Sequence, residues 1–372
     1  MSGEAGDIPG LDPALNRVPP ARGRWGRRSP ERFDAGFGSD RGGATYAALD
    51  LGTNNCRLLV ARPSGEGFRV VDAFSRIVRL GEGVSLSGRL SEAAIARALA
   101  ALAICRSKMK NKGVTRARLI ATEACRAAEN GSAFLDRVSA ELGLALEIID
   151  RETEACLAAT GCTPLIDPQA EGAVLFDIGG GSSELVRLAR PQHGRGGPPL
   201  PQIRGWISVP HGVVTLAERY GGITVTRAIY EAMVAEIAAL IAPFVSAHAA
   251  SNIAAIHMLG TSGTVTTIAG VHLNLKRYDR NRVDGCWMNE GEISAVVERL
   301  LEMSYEDRVA SPCIGAERAD LVLAGCAILE AIRRAFPCPR LRVADRGLRE
   351  GMLVQMMRDD GAWGGGNEAA PS

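Results

Sequence analysis

The sequence contains one kind of segment twice: an apolar run, an aspartate, a glycine-containing turn and a second apolar run. The first copy reads YAALDLGTNNCRLLVAR and the second reads AVLFDIGGGSSELVRLAR. The matched aspartates, Asp50 and Asp177, lie 127 residues apart, which is about one domain length. A tandem duplication accounts for this spacing more simply than two unrelated hairpins do. We therefore predict two related domains.

The apolar patterns around both copies predict a mixed α/β fold. FRVVDAFSRIV follows the first copy and IRGWISV follows the second, so each copy is expected to continue as a three-strand meander. Helix-like and strand-like segments then alternate, and the first long helix begins after Ser91, a good N-terminal cap. This alternation indicates the α/β class. The predicted domains are residues 44–168 and 169–345, with the last helix, 346–358, packed back on the first domain.

Composition predicts a compact core with loose ends. Of the 372 residues, 46% are hydrophobic and 23% are charged, which suits a globular chain of about two domains. Residues 1–43 and 359–372 lack apolar periodicity and are rich in glycine and polar residues. Such segments cannot bury enough apolar surface to offset their ordering entropy. Both are therefore predicted to be disordered tails.

Charge and cysteine usage narrow the partners and the compartment. The formal net charge is only +1, so no global field attracts a polyanion, and no nucleic-acid partner is expected. The nine cysteines include no Cys-x-x-Cys pair, which predicts reduced thiols rather than a zinc or disulfide framework. We find no secretory leader and no uninterrupted apolar run of about 18 residues. These features predict a cytoplasmic protein without a membrane segment.

The two turns carry the first candidate functional residues. Glycine-rich turns between strands expose backbone N–H groups and hydroxyls to one place, which suits phosphate oxygens. A single turn of this kind is more often a plain hairpin, but two copies at domain spacing could grip a phosphate chain from both sides. The turn residues that we expect to contact phosphate are Gly52, Thr53, Asn54, Gly179, Gly180, Gly181 and Ser182.

Three carboxylates lie at or beside these turns. Asp50, Asp177 and Glu184 could supply the oxygen ligands that hard divalent cations prefer when they bridge phosphates. We therefore expect Mg²⁺, or Mn²⁺, as the cofactor. The sequence leaves simpler roles open: the aspartates could cap the turns, and Glu184 could be a solvent-facing strand residue.

Seven segments together resemble the Ppx/GppA phosphatase family: LDLGTNNCRLLVAR, LIATEACRAAENG, IIDRETEACLA, VLFDIGGGSSELV, SVPHGVVTLAE, MLGTSGTVTTIAG and VADRGLREGML. The resemblance spans residues 45–358. It implies two actin-like (ASKHA, RNase H-like) domains flanking a cleft. It also implies hydrolysis of terminal phosphates, since the family comprises exopolyphosphatases and guanosine pentaphosphate phosphohydrolases.

The resemblance also implies roles for individual residues. The family's catalytic glutamate falls on Glu154, which would act as general base toward the attacking water. Arg126 matches the family's phosphate-binding arginine, and Asp177 and Glu184 match the acidic pair used around the metal and the water. Around Glu154 the sequence departs from the family's Gly-x-Glu-Glu-Ala-Arg pattern, with Arg151, Thr153 and Cys156 at the departing positions. Without the resemblance, Glu154 would read as a charge that complements a helix N-terminus, and Arg126 as a solvated helix residue.

The resulting expectation is an exopolyphosphatase that releases orthophosphate from the end of inorganic polyphosphate. The closest alternative substrate is guanosine pentaphosphate (pppGpp), and the motifs do not distinguish the two. An alternative of another class is an ASKHA protein that binds a nucleotide or an alarmone without hydrolysing it. A homodimer is compatible with the family resemblance.

Overall fold

The computed structural model describes residues 43–192, 196–248 and 253–363. The predicted tail at residues 1–43 falls almost wholly outside these ranges, as does the C-terminal segment from residue 364. Residues 359–363, which belong to the predicted C-terminal tail, make tertiary contacts in this structure. Asp360 accepts a hydrogen bond from the Tyr46 hydroxyl at 2.9 Å and pairs with Arg116, and the Trp363 indole donates to the Gly67 carbonyl at 2.9 Å. Tertiary partners far away in the sequence thus order a segment that has no apolar periodicity.

The first lobe is built on a five-stranded sheet with the order β3-β2-β1-β4-β5. Its strands are β1 (Tyr46–Leu51), β2 (Asn55–Ser64), β3 (Gly67–Ile77), β4 (Arg116–Ala121) and β5 (Glu147–Ile148). The first three strands form the predicted antiparallel meander, while β4 and β5 add in parallel. The helices of this lobe are α1 (Val84–Ser87), α2 (Glu92–Asn111), α3 (Glu123–Ala127) and α4 (Gly131–Leu142). The Ser91 side chain caps α2 by accepting a hydrogen bond from the Ala94 amide, as predicted.

The second lobe repeats this arrangement with one additional edge strand, in the order β10-β11-β9-β6-β7-β8. Its strands are β6 (Gly172–Ile178), β7 (Ser183–Gln192), β8 (Leu200–Val209), β9 (Ile256–Thr261), β10 (Trp287–Asn289) and β11 (Arg340–Ala344). A second meander, β6 to β8, is again followed by parallel strands. The helices of this lobe are α6 (Val213–Tyr220), α7 (Arg227–His248), α8 (Gly263–His272), α9 (Arg280–Val283), α10 (Glu290–Glu302), α11 (Tyr305–Ala310) and α12 (Val322–Ala335).

Two crossing helices join the lobes: α5 (Arg151–Cys162) and α13 (Leu348–Asp359). Helix α13 packs on β1 and β2 of the first lobe, where its methionines and Leu353 meet Tyr46 and Ala48. Helix α5 packs on the inner face of the second lobe's sheet. At the crossing, a β-carbon on Gly161 would overlap the backbone of Gly347, and one on Gly351 would overlap the backbone of Leu157. The two glycines therefore allow the helices to touch backbone to backbone.

Helix α7 is the one helix in the described ranges that is long and apolar enough, by length and composition, to cross a membrane. The sequence search for an uninterrupted apolar run did not detect it, because Glu231 and Glu236 interrupt the run. Its buried residues, from Tyr230 to Phe244, belong to the second lobe's core. Glu231 pairs with Arg334 of α12 at 2.7 Å. In this structure one face of α7 thus packs into the core of the second lobe.

Candidate active site

The two glycine-containing turns have the same backbone geometry. The Gly52 amide donates to the Asn55 carbonyl at 2.9 Å, and the Gly179 amide donates to the Ser182 carbonyl at 3.0 Å. The two donors, Gly52 and Gly179, are 127 residues apart, and so are the two acceptors, Asn55 and Ser182. Just below the turns, Asp50 lies opposite Arg57 in the register of β1 and β2, and Asp177 lies opposite Glu184 in the register of β6 and β7, again at the same offset. The duplication predicted from the sequence is thus present in the detailed geometry of the turns.

The turns from the two lobes meet in the cleft. A β-carbon on Gly180 would lie 2.9 Å from Thr53 Cβ, and one on Gly181 would lie 2.8 Å from Thr53 Oγ1. Only glycine permits this approach at both positions. Thr53 and Asn54 are buried, and the amide oxygen of Asn54 has no hydrogen-bond partner among the described residues. Leaving a buried polar group unpaired is costly, so the meeting point of the turns retains unused hydrogen-bonding capacity.

Each turn is braced by the segment that follows its meander. The amides of Val78 and Arg79 both donate to the Asn54 carbonyl, at 2.9 and 3.0 Å. In the second lobe, the amides of Val213 and Val214 donate to the carbonyls of Gly179 and Gly180, at 2.9 and 2.8 Å. The backbone of each turn is therefore held in place by its own lobe.

The bracing segments are also tied to the opposite lobe. The Arg79 guanidinium pairs with both carboxylate oxygens of Asp320 at 3.0 Å. Glu218 of α6 accepts a hydrogen bond from the Gly83 amide at 2.8 Å and another from the Ser85 hydroxyl. These contacts bridge the lobes beside the turns, so the structure shows the cleft in a closed arrangement.

Asp177 and Glu184 form an acidic corner in the second lobe. One oxygen of the buried Glu184 carboxylate accepts hydrogen bonds from the hydroxyls of Ser182 and Ser208, at 2.8 and 2.7 Å. Burial, reinforced by the charge of Asp177, raises the pKa of Glu184 to about 7. Burial likewise raises the pKa of Asp177 to about 6; Arg57 of the first lobe opposes this shift and Asp50 adds to it. Charged groups of the two lobes are therefore close enough to influence each other's ionisation.

Glu154 lies in the first turn of α5, whose N-terminus is capped by the Asp150 side chain. Its carboxylate is 14% exposed and accepts a hydrogen bond from Arg126 at 3.2 Å. Burial, followed by the negative charge of Glu184, raises the pKa of Glu154 well above its usual value, against the opposing effect of Arg126. A carboxylate with a raised pKa is a stronger base, which suits removal of a proton from water near neutral pH.

Arg126 lies beside Glu154, but acidic groups already engage it. Its guanidinium donates to Glu123 through Nε at 2.9 Å and through Nη2 at 2.5 Å, and its Nη1 donates to the Ile149 carbonyl at 2.5 Å. Arg151 donates to the other Glu123 oxygen at 2.8 Å. Glu123 therefore orients the arginine next to Glu154. A phosphate that contacts Arg126 must share it with these carboxylates.

Three further arginines near the turns were not identified from the sequence: Arg57, Arg318 and Arg349. All three are half-buried. Within the described ranges none has a carboxylate within 4.0 Å, and Arg318 alone has a hydrogen bond, a long one of 3.5 Å to Thr267. Burial and the charge of Arg57 lower the pKa of Arg318. Unpaired arginines at this depth indicate a place for an anion.

The carboxylates beside the turns fit a divalent cation in their chemistry. Asp50, Glu154, Asp177 and Glu184 offer only oxygen donors, and several of them raise one another's pKa, so a cation among them would relieve repulsion. No three histidine, cysteine, aspartate or glutamate side chains in the described ranges are close enough to hold a metal ion by themselves. Mg²⁺ typically takes one or two carboxylates and completes its shell with water and phosphate oxygens, so two of these residues suffice.

Two lobes of this topology, with matched turns facing each other across a cleft, define the actin-like (ASKHA) class of proteins. Comparison with known proteins places the chain more narrowly. The model of the Ppx/GppA phosphatase family matches residues 59–360, and the chain belongs to that family. By this membership it is a hydrolase of phosphoanhydride bonds. The resemblance seen in the sequence is thus confirmed.

Individual relatives agree with this assignment. Exopolyphosphatase 2 of Mycobacterium tuberculosis is 27% identical over 333 residues, which cover 83% of this chain and 98% of the relative. The crystal structure of the Aquifex aeolicus Ppx/GppA family member is 28% identical, has a TM-score of 0.69, and is matched over 85% of this chain and 98% of its own. An exopolyphosphatase structure from Cytophaga hutchinsonii has a TM-score of 0.76 at 21% identity over 85% of this chain and 98% of its own, which shows the shared fold.

Proposed function

We propose that the protein is an exopolyphosphatase that removes the terminal orthophosphate from inorganic polyphosphate. The observation that carries this proposal is the meeting of the two duplicated turns beside Glu154, with unpaired arginines around them. This arrangement suits a linear anion whose end is gripped from both lobes while a base acts on water. The exopolyphosphatase name of the Mycobacterium tuberculosis relative supports the same substrate class.

In the proposed reaction, a water molecule attacks the terminal phosphorus and Glu154 accepts its proton. The phosphoanhydride bond breaks, its bridging oxygen leaves with the shortened chain, and the terminal group leaves as orthophosphate. Backbone N–H groups of the turns, with Thr53 and Ser182, orient the terminal phosphate, and Arg126 holds it next to Glu154. Phosphoryl transfer depends mainly on such positioning and on charge neutralisation.

A divalent cation belongs to the proposal as a cofactor, Mg²⁺ or Mn²⁺. The candidate ligands are Asp177 and Glu184 of the second lobe and Asp50 of the first; two of the three would hold the ion, with water and phosphate oxygens completing its shell. When bound, the ion would neutralise charge on the phosphate oxygens.

The terminal phosphate of pppGpp is the alternative substrate, because the turns and Glu154 act on a phosphate end whether it belongs to a polyphosphate or to a nucleotide. Kinetics on both substrates under identical conditions distinguish the two. A higher kcat/KM for pppGpp than for polyphosphate would make the nucleotide the substrate. Binding of an alarmone or a nucleotide without turnover of either compound would favour the non-hydrolytic alternative.

Glu154→Gln tests the proposed mechanism. We expect it to lower orthophosphate release from polyphosphate of defined length by at least about 10²-fold, because general-base catalysis contributes about that much. Chain binding should change little, since the amide keeps the shape of the side chain. Glu152→Gln is the matched control, because Glu152 lies in the same helical turn and is exposed. Undiminished turnover of Glu154→Gln would refute the role of Glu154.

A further inference from the structure

Arg349 lies in the first turn of α13, the helix that returns from the second lobe to the first. Leu353, Met356 and Met357 of this helix form the buried stripe that packs on β1 and β2. Arg349 precedes Leu353 by four residues, so it lies on the same face of the helix, one turn nearer the cleft. The apolar stripe of α13 therefore ends in a guanidinium at the cleft.

On the strands beneath α13, the apolar residues that face this helix are likewise followed by a charged residue near the cleft. On β1, the buried residues Tyr46 and Ala48 face α13, and the next residue on that face is Asp50. On β2, Leu59 and Ala61 face α13, and Arg57 is the next residue on that face toward the turn. Arg349 interacts electrostatically with both Asp50 and Arg57. Three elements of the first lobe thus bring their charged ends together below the 52–55 turn.

Arg349 differs from its charged neighbours in α13 because it has no partner. Glu350 pairs with Arg280 at 3.0 Å and accepts a hydrogen bond from the Gly347 amide at 2.9 Å, and Arg358 donates to the Pro198 carbonyl at 2.5 Å. The Arg349 guanidinium has neither a hydrogen bond nor an ion pair with any described residue. None of its guanidinium nitrogens is fully buried, so they are accessible from the open space of the cleft.

An unpaired guanidinium at this depth is unfavourable for the fold. Burial lowers the pKa of Arg349, and the positive charge of Arg57 acts in the same direction. Partly desolvated charges are normally compensated by a counter-charge. The carboxylates of Glu350, Asp50 and Asp345 oppose this shift, but none of them lies within ion-pair distance of Arg349. The unused hydrogen-bond donors fit an anion with several oxygens, since a guanidinium binds phosphate through two parallel hydrogen bonds.

We propose that Arg349 is a catalytic residue of this site that binds the substrate directly, donating hydrogen bonds to the non-bridging oxygens of a phosphate group held against the 52–55 turn. Arg57 flanks the same phosphate group from β2. The inference rests on the proposed function in that it takes the substrate to be a phosphoanhydride chain. It adds a phosphate contact from the C-terminal helix, outside both duplicated segments. Substrate binding thereby depends on the helix that connects the second lobe to the first.

The test is binding of tripolyphosphate, measured by calorimetry without added metal, together with the melting temperature of the free protein. We expect Arg349→Gln to weaken binding about 10- to 100-fold, because a hydrogen bond to a charged group is lost. Arg349→Lys, which keeps the charge but loses the planar fork, should bind with intermediate affinity. Arg358→Gln is the matched control, since it is the same change at the other end of α13, and its affinity should equal that of the unmodified protein.

The melting temperature separates a ligand-binding role from a structural one. Removing an unpaired charge should leave the melting temperature of Arg349→Gln unchanged or raise it. Unchanged tripolyphosphate affinity, or a lowered melting temperature with unchanged affinity, would overturn the inference, as would a failure of the unmodified protein to bind tripolyphosphate. If the unmodified protein binds tripolyphosphate through Arg349 but hydrolyses neither polyphosphate nor pppGpp, the inference stands and the proposed function fails.

Discussion

The two lobes present the same corner of structure with opposite electrostatic character. In the first lobe, Asp50 and Arg57 lie opposite each other on the strand pair below the turn, and in the second lobe Asp177 and Glu184 occupy the matched positions. The turn hydrogen bond differs by only 0.1 Å between the lobes, at 2.9 and 3.0 Å. The two copies therefore share the same backbone, but one matched position is a cation, Arg57, in the first lobe and an anion, Glu184, in the second.

The surroundings of each corner extend this difference. Near Arg57 stand the unpaired Arg318 and Arg349, whereas Glu184 is fixed by two serine hydroxyls next to Asp177. A cationic corner suits the phosphate oxygens of a substrate, and an acidic corner suits a divalent cation. One duplicated hairpin thus supports two complementary roles, and substitutions at the two matched positions should have different consequences.

The largest effect is expected for Glu184→Gln. The amide keeps the size of the side chain and its capacity to accept hydrogen bonds from Ser182 and Ser208, but it removes the charge. We expect orthophosphate release to fall about 10²- to 10³-fold, the usual loss when a preorganised electrostatic group is removed. The half-activating concentration of Mg²⁺ should rise as well. Because burial already raises the pKa of Glu184 to about 7, a neutral side chain should not unfold the protein.

Glu171→Gln serves as the control for this variant, since Glu171 is exposed next to β6 at the end of the strand away from the turn. Metal titrations of orthophosphate release compare the three proteins. An unaltered Mg²⁺ dependence in Glu184→Gln would contradict the proposal that the acidic corner binds the cation. The two lobes would then not differ in the ligands that they bind.

A smaller effect of another kind is expected for Arg57→Gln. Loss of this cation should raise the KM for polyphosphate about 10- to 100-fold, because one charge-assisted hydrogen bond to phosphate is lost. The Mg²⁺ dependence should stay as it is. Arg62→Gln is the control on the same strand, at the end away from the turn, where Arg62 donates to the Thr45 hydroxyl at 2.9 Å. If Arg57→Gln shifts the metal dependence and leaves KM unchanged, the assignment of roles to the corners is reversed.

The sequence predicted the two hairpins of this site because a hairpin is determined by local sequence. An aspartate, a glycine-containing turn and two apolar runs determine a hairpin within about fifteen residues, and the repeat of that hairpin indicated two lobes. Asp50, Asp177 and the turn residues were identified in this way. The position of Glu154 came from the family resemblance, since its own surroundings show only a charged first helical turn.

The remaining charges of the site depend on tertiary contacts that no local pattern encodes. Arg57 and Arg349 look like ordinary solvated residues in a chain with 43 lysines and arginines. The sequence did contain one signal for Arg57. When the two hairpins are aligned, Arg57 on the second strand of the first copy matches Glu184 on the second strand of the second copy, a charge reversal that a plain turn does not require. Arg126 was selected as a phosphate ligand; its pairing with Glu123 is a local contact three residues apart in α3, whereas its contact with Glu154 depends on α3 lying beside α5.

The lobes also differ in the groups that titrate in mild acid. The five histidines of the sequence all lie between residues 193 and 272, in the second lobe's half of the chain. His257 is the most deeply buried of those described, and its Nε2 accepts a hydrogen bond from the Asp167 amide at 3.1 Å. The proton of the neutral ring then lies on Nδ1, which donates to the Met258 carbonyl at 2.8 Å. Protonation of Nε2 would abolish the first of these hydrogen bonds.

The smallest predicted effect is therefore an acid sensitivity carried by His257. Burial lowers its pKa below the usual 6.5, so the unfolded chain binds the proton more readily, and the free energy of unfolding falls as the pH drops below about 6.5, by at most about 1.4 kcal/mol per pH unit. His257→Gln supplies a non-titrating acceptor and donor, and its unfolding free energy should lose this part of the pH dependence. Denaturant titrations of both proteins at several pH values between 7.5 and 5.5 measure the difference. Parallel pH profiles would place the acid sensitivity elsewhere, because only the titration of His257 distinguishes the two proteins.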